Sequence, residues 1–352
     1  LWKYRYYALA HDGLRKHNES TFLDNGGSFK FVTLNQNVNN KKRRTRLMPY
    51  AAMLLVVLLW GSAAAVGRRL GTDLSALELS LWRVAIGFLL LLILHLLASR
   101  KHPRSSSLSK GSKPFQTYLR IWIFGIFGYG VMIWLFFCAA RSTLASHVVL
   151  ILSMAPISTL LMDRLLGGRG NAKSFISAGL SLLGIVIMVA PSLSGAGASI
   201  IGDLWALLAM LSFSLYTIGV KRYSNGMTAL QVNLHGMAAG LAFLWLALAL
   251  WEQKLLPAGF PEIGQWAQIA YLGLGSTGLA YFLYAWALSK LAVEKVVPFI
   301  YLQPVVGVLL SLLWLGEPFS LPLALGMGFI AGGLLWNQIQ TNSIKNEVLN
   351  RG

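Results

Sequence analysis

Only one charged side chain lies well inside an apolar run of this sequence: Arg83, in "ELSLWRVAIGFLLLL" (78–92). A guanidinium within a membrane span costs about 2.5–3.5 kcal/mol on insertion scales, so such a residue is a functional candidate by default. Its planar fork of donors matches a carboxylate or a phosphate. The competing structural reading has it snorkelling to the outer face or pairing with Glu78. His147 and His235 are the other titratable candidates, and either could relay protons for coupling. A lone membrane histidine also serves simply to hydrogen-bond a neighbouring helix. Tyrosine and tryptophan normally gather at membrane interfaces, yet Trp60, Tyr129, Trp134, Tyr216, Tyr281, Tyr284 and Tyr301 fall within apolar runs. At that depth their polar atoms need partners, which suits a polar path. Tyr301 and Gln303 flank Pro304, and Tyr216 occupies the repeat equivalent of Ala63, beside Ser62. The expected substrate pathway is therefore Trp60, Ser62, Arg83, Tyr129, Tyr216, Tyr301 and Gln303.

Other chemistries find little support. Cys138 is the only cysteine, which excludes an intramolecular disulfide and any cysteine-based metal cluster. No metal site and no cofactor are expected. "GLGSTG" (273–278) formally matches a dinucleotide fingerprint, but no strand–turn–helix unit surrounds it. Its small residues read as helix packing. No paired acids, His-Glu-x-x-His or Gly-x-Ser-x-Gly arrangement points to an enzyme, and no nucleotide-binding loop points to a primary pump.

The elements that must position these residues are membrane helices. Of 352 residues, 56% are hydrophobic and 12% charged, against roughly 25% charged in a soluble domain. Ten apolar runs of spanning length follow Met48, at roughly 49–67, 76–98, 121–140, 143–163, 174–190, 203–220, 229–251, 266–288, 296–315 and 319–338. If the N-terminus is cytoplasmic, 25 of the 30 Lys and Arg fall on the cytoplasmic side and 4 on the other. Cytoplasmic loops carry such an excess, so ten spans with both termini cytoplasmic are expected. The net charge of +18 is concentrated in flanks such as "KKRRTR" (41–46), which orient helices and do not require a nucleic-acid partner. Residues 1–47 are polar and aperiodic and begin with Leu1, while Met48 directly precedes the first span. They read either as a disordered tail or as an extension foreign to the native protein.

Internal repetition organises the spans. A shift of 148 residues lays Pro156 in "LILSMAPISTLLMDRLLGG" on Pro304 in "FIYLQPVVGVLLSLLWLGE", and "GIFGYG" (125–130) on "GLGSTG". A shift of 153 lays "VGRRL" (66–70) on "GVKRY" (219–223) and "ALE" (76–78) on "ALQ" (229–231). Each repeat holds five spans, an odd number, so the second copy enters the membrane from the opposite side. Such inverted repeats accompany alternating access in secondary transporters. Pro156 and Pro304 then break two helices near the bilayer midplane, freeing the carbonyls of positions 152 and 300 beside a central cavity.

"LLWGSAAAVGRRL" (58–70), "ELSLWRVAIGFLLLL", "APISTLLMDRLLGG" (155–168) and "QPVVGVLLSLLWLGEP" (303–318) resemble the EamA-type transporters of the drug/metabolite transporter superfamily, from Met48 to about Gln340. The resemblance implies a ten-helix carrier of the bacterial inner membrane, often an exporter of amino acids or related metabolites. It places a first-helix tryptophan–glycine motif on Trp60 and Gly61, a second-helix arginine on Arg83, helix prolines on Pro156 and Pro304, and a Gly-Glu pair on Gly316 and Glu317. The first repeat has Gly168–Arg169 there and so lacks the acid. The expected protein is thus an all-α polytopic membrane protein. It comprises a tail (1–47), two inverted five-helix repeats (48–198 and 199–340) and a short cytoplasmic end (341–352). Its partners would be the bilayer, a small carboxylate-bearing substrate and possible coupling protons. A lipid or polyprenyl-phosphate flippase and a non-transporting membrane scaffold are the alternatives.

Overall fold

The structure, a computed structural model, describes residues 47–70, 74–101, 114–167, 174–191, 199–224, 227–257, 262–291, 299–300 and 302–350. The tail expected over 1–47 lies outside the described residues except for Leu47, and so does Tyr301. Among the described residues every regular element is a helix. In chain order these are α1 (Leu47–Arg69), α2 (Ala76–Lys101), α3 (Phe115–Ser142), α4 (Ala145–Leu165), α5 (Ser174–Val189), α6 (Ile200–Tyr223) and α7 (Ala229–Trp251). They continue with α8 (263–290), α9 (Gln303–Leu315) and α10 (Leu321–Asn350). Six of them, α1 to α4 with α6 and α7, are long and apolar enough to cross a membrane. Shorter apolar stretches occur in α5, α9 and α10. Pro49–Gly352 form one compact unit.

The helices begin where side chains satisfy their first amides. At α2 the Ser75 amide donates to Glu78 Oε2 at 2.7 Å and the Glu78 amide to Ser75 Oγ at 3.1 Å. At α7 the Thr228 amide donates to Gln231 Oε1 at 2.9 Å and the Gln231 amide to Thr228 Oγ1 at 3.3 Å. Both are capping boxes, in which two orphan donors are satisfied reciprocally. They lie 153 residues apart, the offset of the sequence repeat. At the other end of a helix, Gly316 closes α9 at φ +66°, a left-handed conformation that glycine adopts without penalty.

Helix contacts depend on missing side chains. A Cβ on Gly125 of α3 would lie 2.5 Å from Gly236 Cα of α7, and one on Gly240 would lie 2.8 Å from the Gly130 amide. On the opposite seam, a Cβ on Gly273 of α8 would lie 2.7 Å from Ile86 Cβ of α2, and one on Gly278 2.8 Å from Leu90 Cδ2. Such close approach is how membrane helices gain packing where water supplies no driving force. Leucines such as Leu54, Leu58, Leu89 and Leu96 are exposed on the outer faces of α1 and α2, as befits a surface turned to lipid.

Five helices depart from regular geometry, α1 among them at a turn at Ser62. Ile126–Val131 of α3 and Tyr271–Leu279 of α8 are π-helical. α4 is interrupted at Met154, and α9 starts after a turn at Leu302. The Met154 amide donates to Ile151 O at 3.1 Å, and the Leu302 amide to Phe299 O at 3.0 Å. Both bonds are i→i−3, and again they lie 148 residues apart. Pro156 and Pro304 occupy the first turn of the segments that follow. Each proline's missing donor would have been an orphan in any case there, so the residue starts a half-helix without breaking one.

Candidate functional site

Arg83 projects from α2 into the seam with α8 and is 5% exposed. Its Nε donates to Thr277 Oγ1 at 2.8 Å and its Nη2 to Ser276 Oγ at 3.1 Å. The guanidinium carbon lies 5.0 Å from the Phe136 ring centroid and 5.8 Å from that of Phe137. Its Nη1 is buried and has no hydrogen-bond partner among the described residues. The pairing with Glu78 that the sequence allowed is replaced by these two hydroxyls. Glu78 caps α2, and its Oε1 accepts from Lys254 Nζ at 3.1 Å.

The π-helical geometry explains why α8 can receive the arginine. Widening the helix to i→i+5 bonding puts backbone carbonyls out of register, and such stretches recur at functional sites. Trp60 Nε1 donates to Ser276 O at 2.9 Å. In the corresponding stretch of α3, Ser212 Oγ of α6 donates to Phe127 O at 2.8 Å. Nearby, α1 bends at Ser62, whose Oγ donates to Leu58 O at 2.7 Å and lies 2.6 Å from Tyr271 Oη.

An aromatic cluster joins this seam to its counterpart. The Trp60 ring packs 5.2 Å from Tyr281 and 5.3 Å from Tyr284, and Tyr129 lies 5.1 Å from Tyr281. Tyr129 and Tyr216 both donate to Asn233 Oδ1, at 2.8 and 3.2 Å. Six of the expected pathway residues are therefore described, and four of them, Trp60, Arg83, Tyr129 and Tyr216, belong to one connected buried network. Ser62 reaches its edge through Tyr271 of α8. Gln303 lies at the start of α9, where its carbonyl faces Gly61; a Cβ there would come within 2.9 Å of that oxygen. Sequence reasoning gave no role to Ser276 and Thr277, which sit in the motif read as packing. Asn233, Tyr281 and Tyr284 carried a signal in their type and depth, but no pairing.

The histidines lie elsewhere. His147 Nδ1 is 3.0 Å from Asp203 Oδ1, which also accepts from Thr143 Oγ1 at 2.8 Å. His235 is partly exposed beside Trp122 and Tyr118. At the same end of the molecule as His147, the Glu317 carboxylate accepts from the Ala145 amide at 2.6 Å, the Ser146 amide at 3.0 Å and Ser146 Oγ at 2.7 Å. It thus supplies the first turn of α4 with acceptors and with a negative charge at the positive end of the helix. Arg68 Nε completes the group at 3.4 Å. At the opposite ends of α4 and α6, Arg222 Nη2 donates to Asp163 Oδ1 at 2.7 Å. No group of three or more His, Cys, Asp or Glu that could hold a metal occurs among the described residues.

The EamA-like transporter family model matches twice, over residues 47–190 and 200–338. The chain belongs to the EamA-like transporter family. An uncharacterised transporter of Archaeoglobus fulgidus is 22% identical over 82% of this chain and 97% of its own length. The uncharacterised transporter YdfC of Bacillus subtilis is 26% identical over 82% of this chain and 90% of its own. A "probable terminal-alkyne amino-acid exporter" of Streptantibioticus cattleyicolor is 28% identical over 55% of this chain and 64% of its own. A crystal structure at 19% identity covers 84% of this chain and 98% of its own with a TM-score of 0.57, a likeness of fold. As an EamA-like protein the chain is an integral membrane transporter, and its apolar helices are the part that meets the bilayer.

Proposed function

We propose that this protein is a secondary carrier that exports a small carboxylate-bearing metabolite, an amino acid or a relative of one, from the cytoplasm. The single observation that carries the reading is Arg83: a buried cation with two donors engaged and Nη1 unpartnered. A buried donor without an acceptor is costly, and a substrate carboxylate would supply the acceptor and the countercharge together. Trp60, Ser62, Tyr129, Tyr216 and Gln303 line the route in this reading, with Tyr301 beside them in sequence.

The architecture proposed is ten spans in two inverted repeats, 48–198 and 199–340, in the inner membrane with both termini cytoplasmic. Its support is the agreement of sequence offset and contact. The two capping boxes, the two π-helical stretches and the two helix breaks each recur at 148 or 153 residues. Alternating access would then exchange one half against the other about this common framework. Glu317 with Arg68, and Asp203 with His147, tie together helix ends that the positive-inside count places outside. We assign His147 to that outer latch. Asp163 with Arg222 holds the cytoplasmic ends of α4 and α6.

The test is metabolite profiling of medium and cytosol from cells producing the full chain, compared with empty vector and Arg83→Ala. The expected result is a small set of carboxylates moving outward with the wild type alone. Equal export by wild type and variant would sink the site assignment. No movement, with both proteins in the membrane, would turn attention to lipid flipping.

A further inference from the structure

We infer that the substrate is a net monoanion, a monocarboxylate without a compensating ammonium group, and that membrane potential drives its exit without a coupled proton. This narrows the proposed function from amino acids to those relatives that lack the ammonium group, and it rests on Arg83 as the substrate's anchor.

Arg83 is the fixed charge of the buried network, and its protein partners are the neutral hydroxyls of Thr277 and Ser276. Around it stand Phe136 and Phe137 of α3, and no carboxylate lies within ion-pair distance among the described residues. The buried carboxylates are engaged at helix ends: Glu78 with Ser75 and Lys254, Asp203 with Thr143 and His147, and Glu317 with the first turn of α4. Asn233 Oδ1, the amide oxygen of the network, already accepts two tyrosine hydroxyls. A bound zwitterion would place its ammonium, with three donors to satisfy, where no carboxylate answers it among the described residues, and would leave the site with the net charge it had when empty. A dianionic phosphate would exceed the single positive charge by one. A monocarboxylate neutralises Arg83, so the loaded carrier crosses with no net charge in its centre, and each full cycle moves one negative charge. In a cell with an inside-negative potential that movement is outward, and a tenfold gradient is sustained by each ~59 mV.

The full chain reconstituted in liposomes, with potassium gradients and valinomycin, tests this with two probes of one carbon skeleton, phenylpyruvate and phenylalanine, and a second pair, 4-methyl-2-oxopentanoate and leucine. The expected result is accumulation of the oxo acids in vesicles made positive inside, about tenfold per ~59 mV, with no response to a pH gradient alone and little movement of the amino acids. Loss of this uptake in both Arg83→Gln and Arg83→Lys, in protein that elutes as wild type, completes the expectation. Transport of the amino acids in preference to the oxo acids overturns the monoanion assignment; if Arg83→Gln abolishes it, the anchor role of Arg83 stands. Uptake that follows pH and ignores potential overturns the driving force. Uptake unchanged in Arg83→Gln overturns the anchor itself, and failure of all four probes to move overturns the substrate class.

Discussion

The seam between α3 and α7 and the seam between α2 and α8 are built alike and filled differently. Each has a glycine-bearing π-helical stretch, each lays glycines in or beside that stretch against the partner helix, and each partner helix opens with a capping box. In the first seam the polar contents are Tyr129 and Asn233, neutral and mutually satisfied. In the second they include Arg83, Ser276 and Thr277, a charged group whose Nη1, like Trp82 Nε1 beside it on α2, has no partner among the described residues. Backbone packing recurs because close approach is needed twice. The side chains need not recur, because only one site has to recognise an anion. The neutral seam is therefore expected to govern stability and the charged one transport.

The sharpest way to break this pairing is to add a methyl group to each seam. Gly125→Ala drives its Cβ into Gly236 Cα at 2.5 Å, a wall of backbone that cannot turn aside. Gly273→Ala meets Ile86 Cβ at 2.7 Å and the Arg83 carbonyl oxygen at 3.0 Å, both held by the α2 backbone. Overpacking costs about 1–3 kcal/mol and occasionally more, so Gly125→Ala is expected at or above about 3 kcal/mol and Gly273→Ala somewhat below it. Gly332→Ala, with nothing within 4 Å, is the control, and thermal unfolding in detergent ranks the three. Equal losses at Gly125 and Gly332 would remove the account of close packing.

Exchanging polar groups sharpens the comparison further. Arg83→Gln should lower transport about 100-fold, equivalent to about 2.7 kcal/mol at 1.36 kcal/mol per tenfold, with little change in melting temperature. Removing a buried charge that lacks full pairing is often neutral or stabilising. Asn233→Leu should do the reverse: the Tyr129 and Tyr216 hydroxyls, 3.1 Å apart, can still bond each other, so one donor is stranded at a cost of about 1–3 kcal/mol, showing first in unfolding. If Arg83→Gln unfolds the protein and Asn233→Leu does not, the division of labour is wrong.

The sequence made the helices and the offset between repeats readable, because hydrophobic runs and glycine or proline positions are local signals. Arg83 stood out for the same reason, a charge where none is cheap. Its partners did not. Ser276 and Thr277 are small residues in a glycine-rich run, and nothing local distinguishes a hydroxyl that packs from one that accepts across a seam 193 or 194 residues away. Pro156 and Pro304 drew attention as helix breakers, and at both sites proline occupies the first turn of a half-helix. Apolar periodicity also underestimates helix length. α10 continues to Asn350 although its apolar run ends near 338, since backbone bonding does not stop where hydrophobic residues do. His147 and His235 are alike in sequence context, but one meets a buried aspartate and the other a partly exposed rim.

The two repeats also differ at their helix ends. Glu317 follows α9 and caps α4, where Gly168–Arg169, outside the described residues, has no acid in the equivalent place. Glu317→Gln keeps one acceptor and loses the charge that faces two amides, Ser146 Oγ and Arg68. Hydrogen bonds to charged groups are worth about 1.5–3 kcal/mol, and the neutral amide retains part of this, so a loss of about 1–2 kcal/mol in unfolding free energy is expected. A change no larger than that of an exposed glutamate variant would mean this carboxylate does not act by tying the ends of α1, α4 and α9 together.

The smallest effect expected comes from making the two capping boxes identical. Thr228–Gln231 shows that an amide serves the box at α7 as a carboxylate serves it at α2. Glu78→Gln should therefore preserve the start of α2 and remove the charge attraction to Lys254. That lysine donates to Glu78 and to Glu252, and these bonds raise its pKa above the ordinary 10.5. A cation whose pKa rises on folding adds stability in full below its unfolded value and loses it as pH climbs through the folded one. The wild type should thus hold a constant, small advantage over Glu78→Gln from neutral pH to about 10.5, and the two unfolding curves should converge at higher pH. An advantage that persisted unchanged in strong alkali would assign the role of Glu78 to the cap alone, and the difference between the two boxes would then carry no electrostatic meaning.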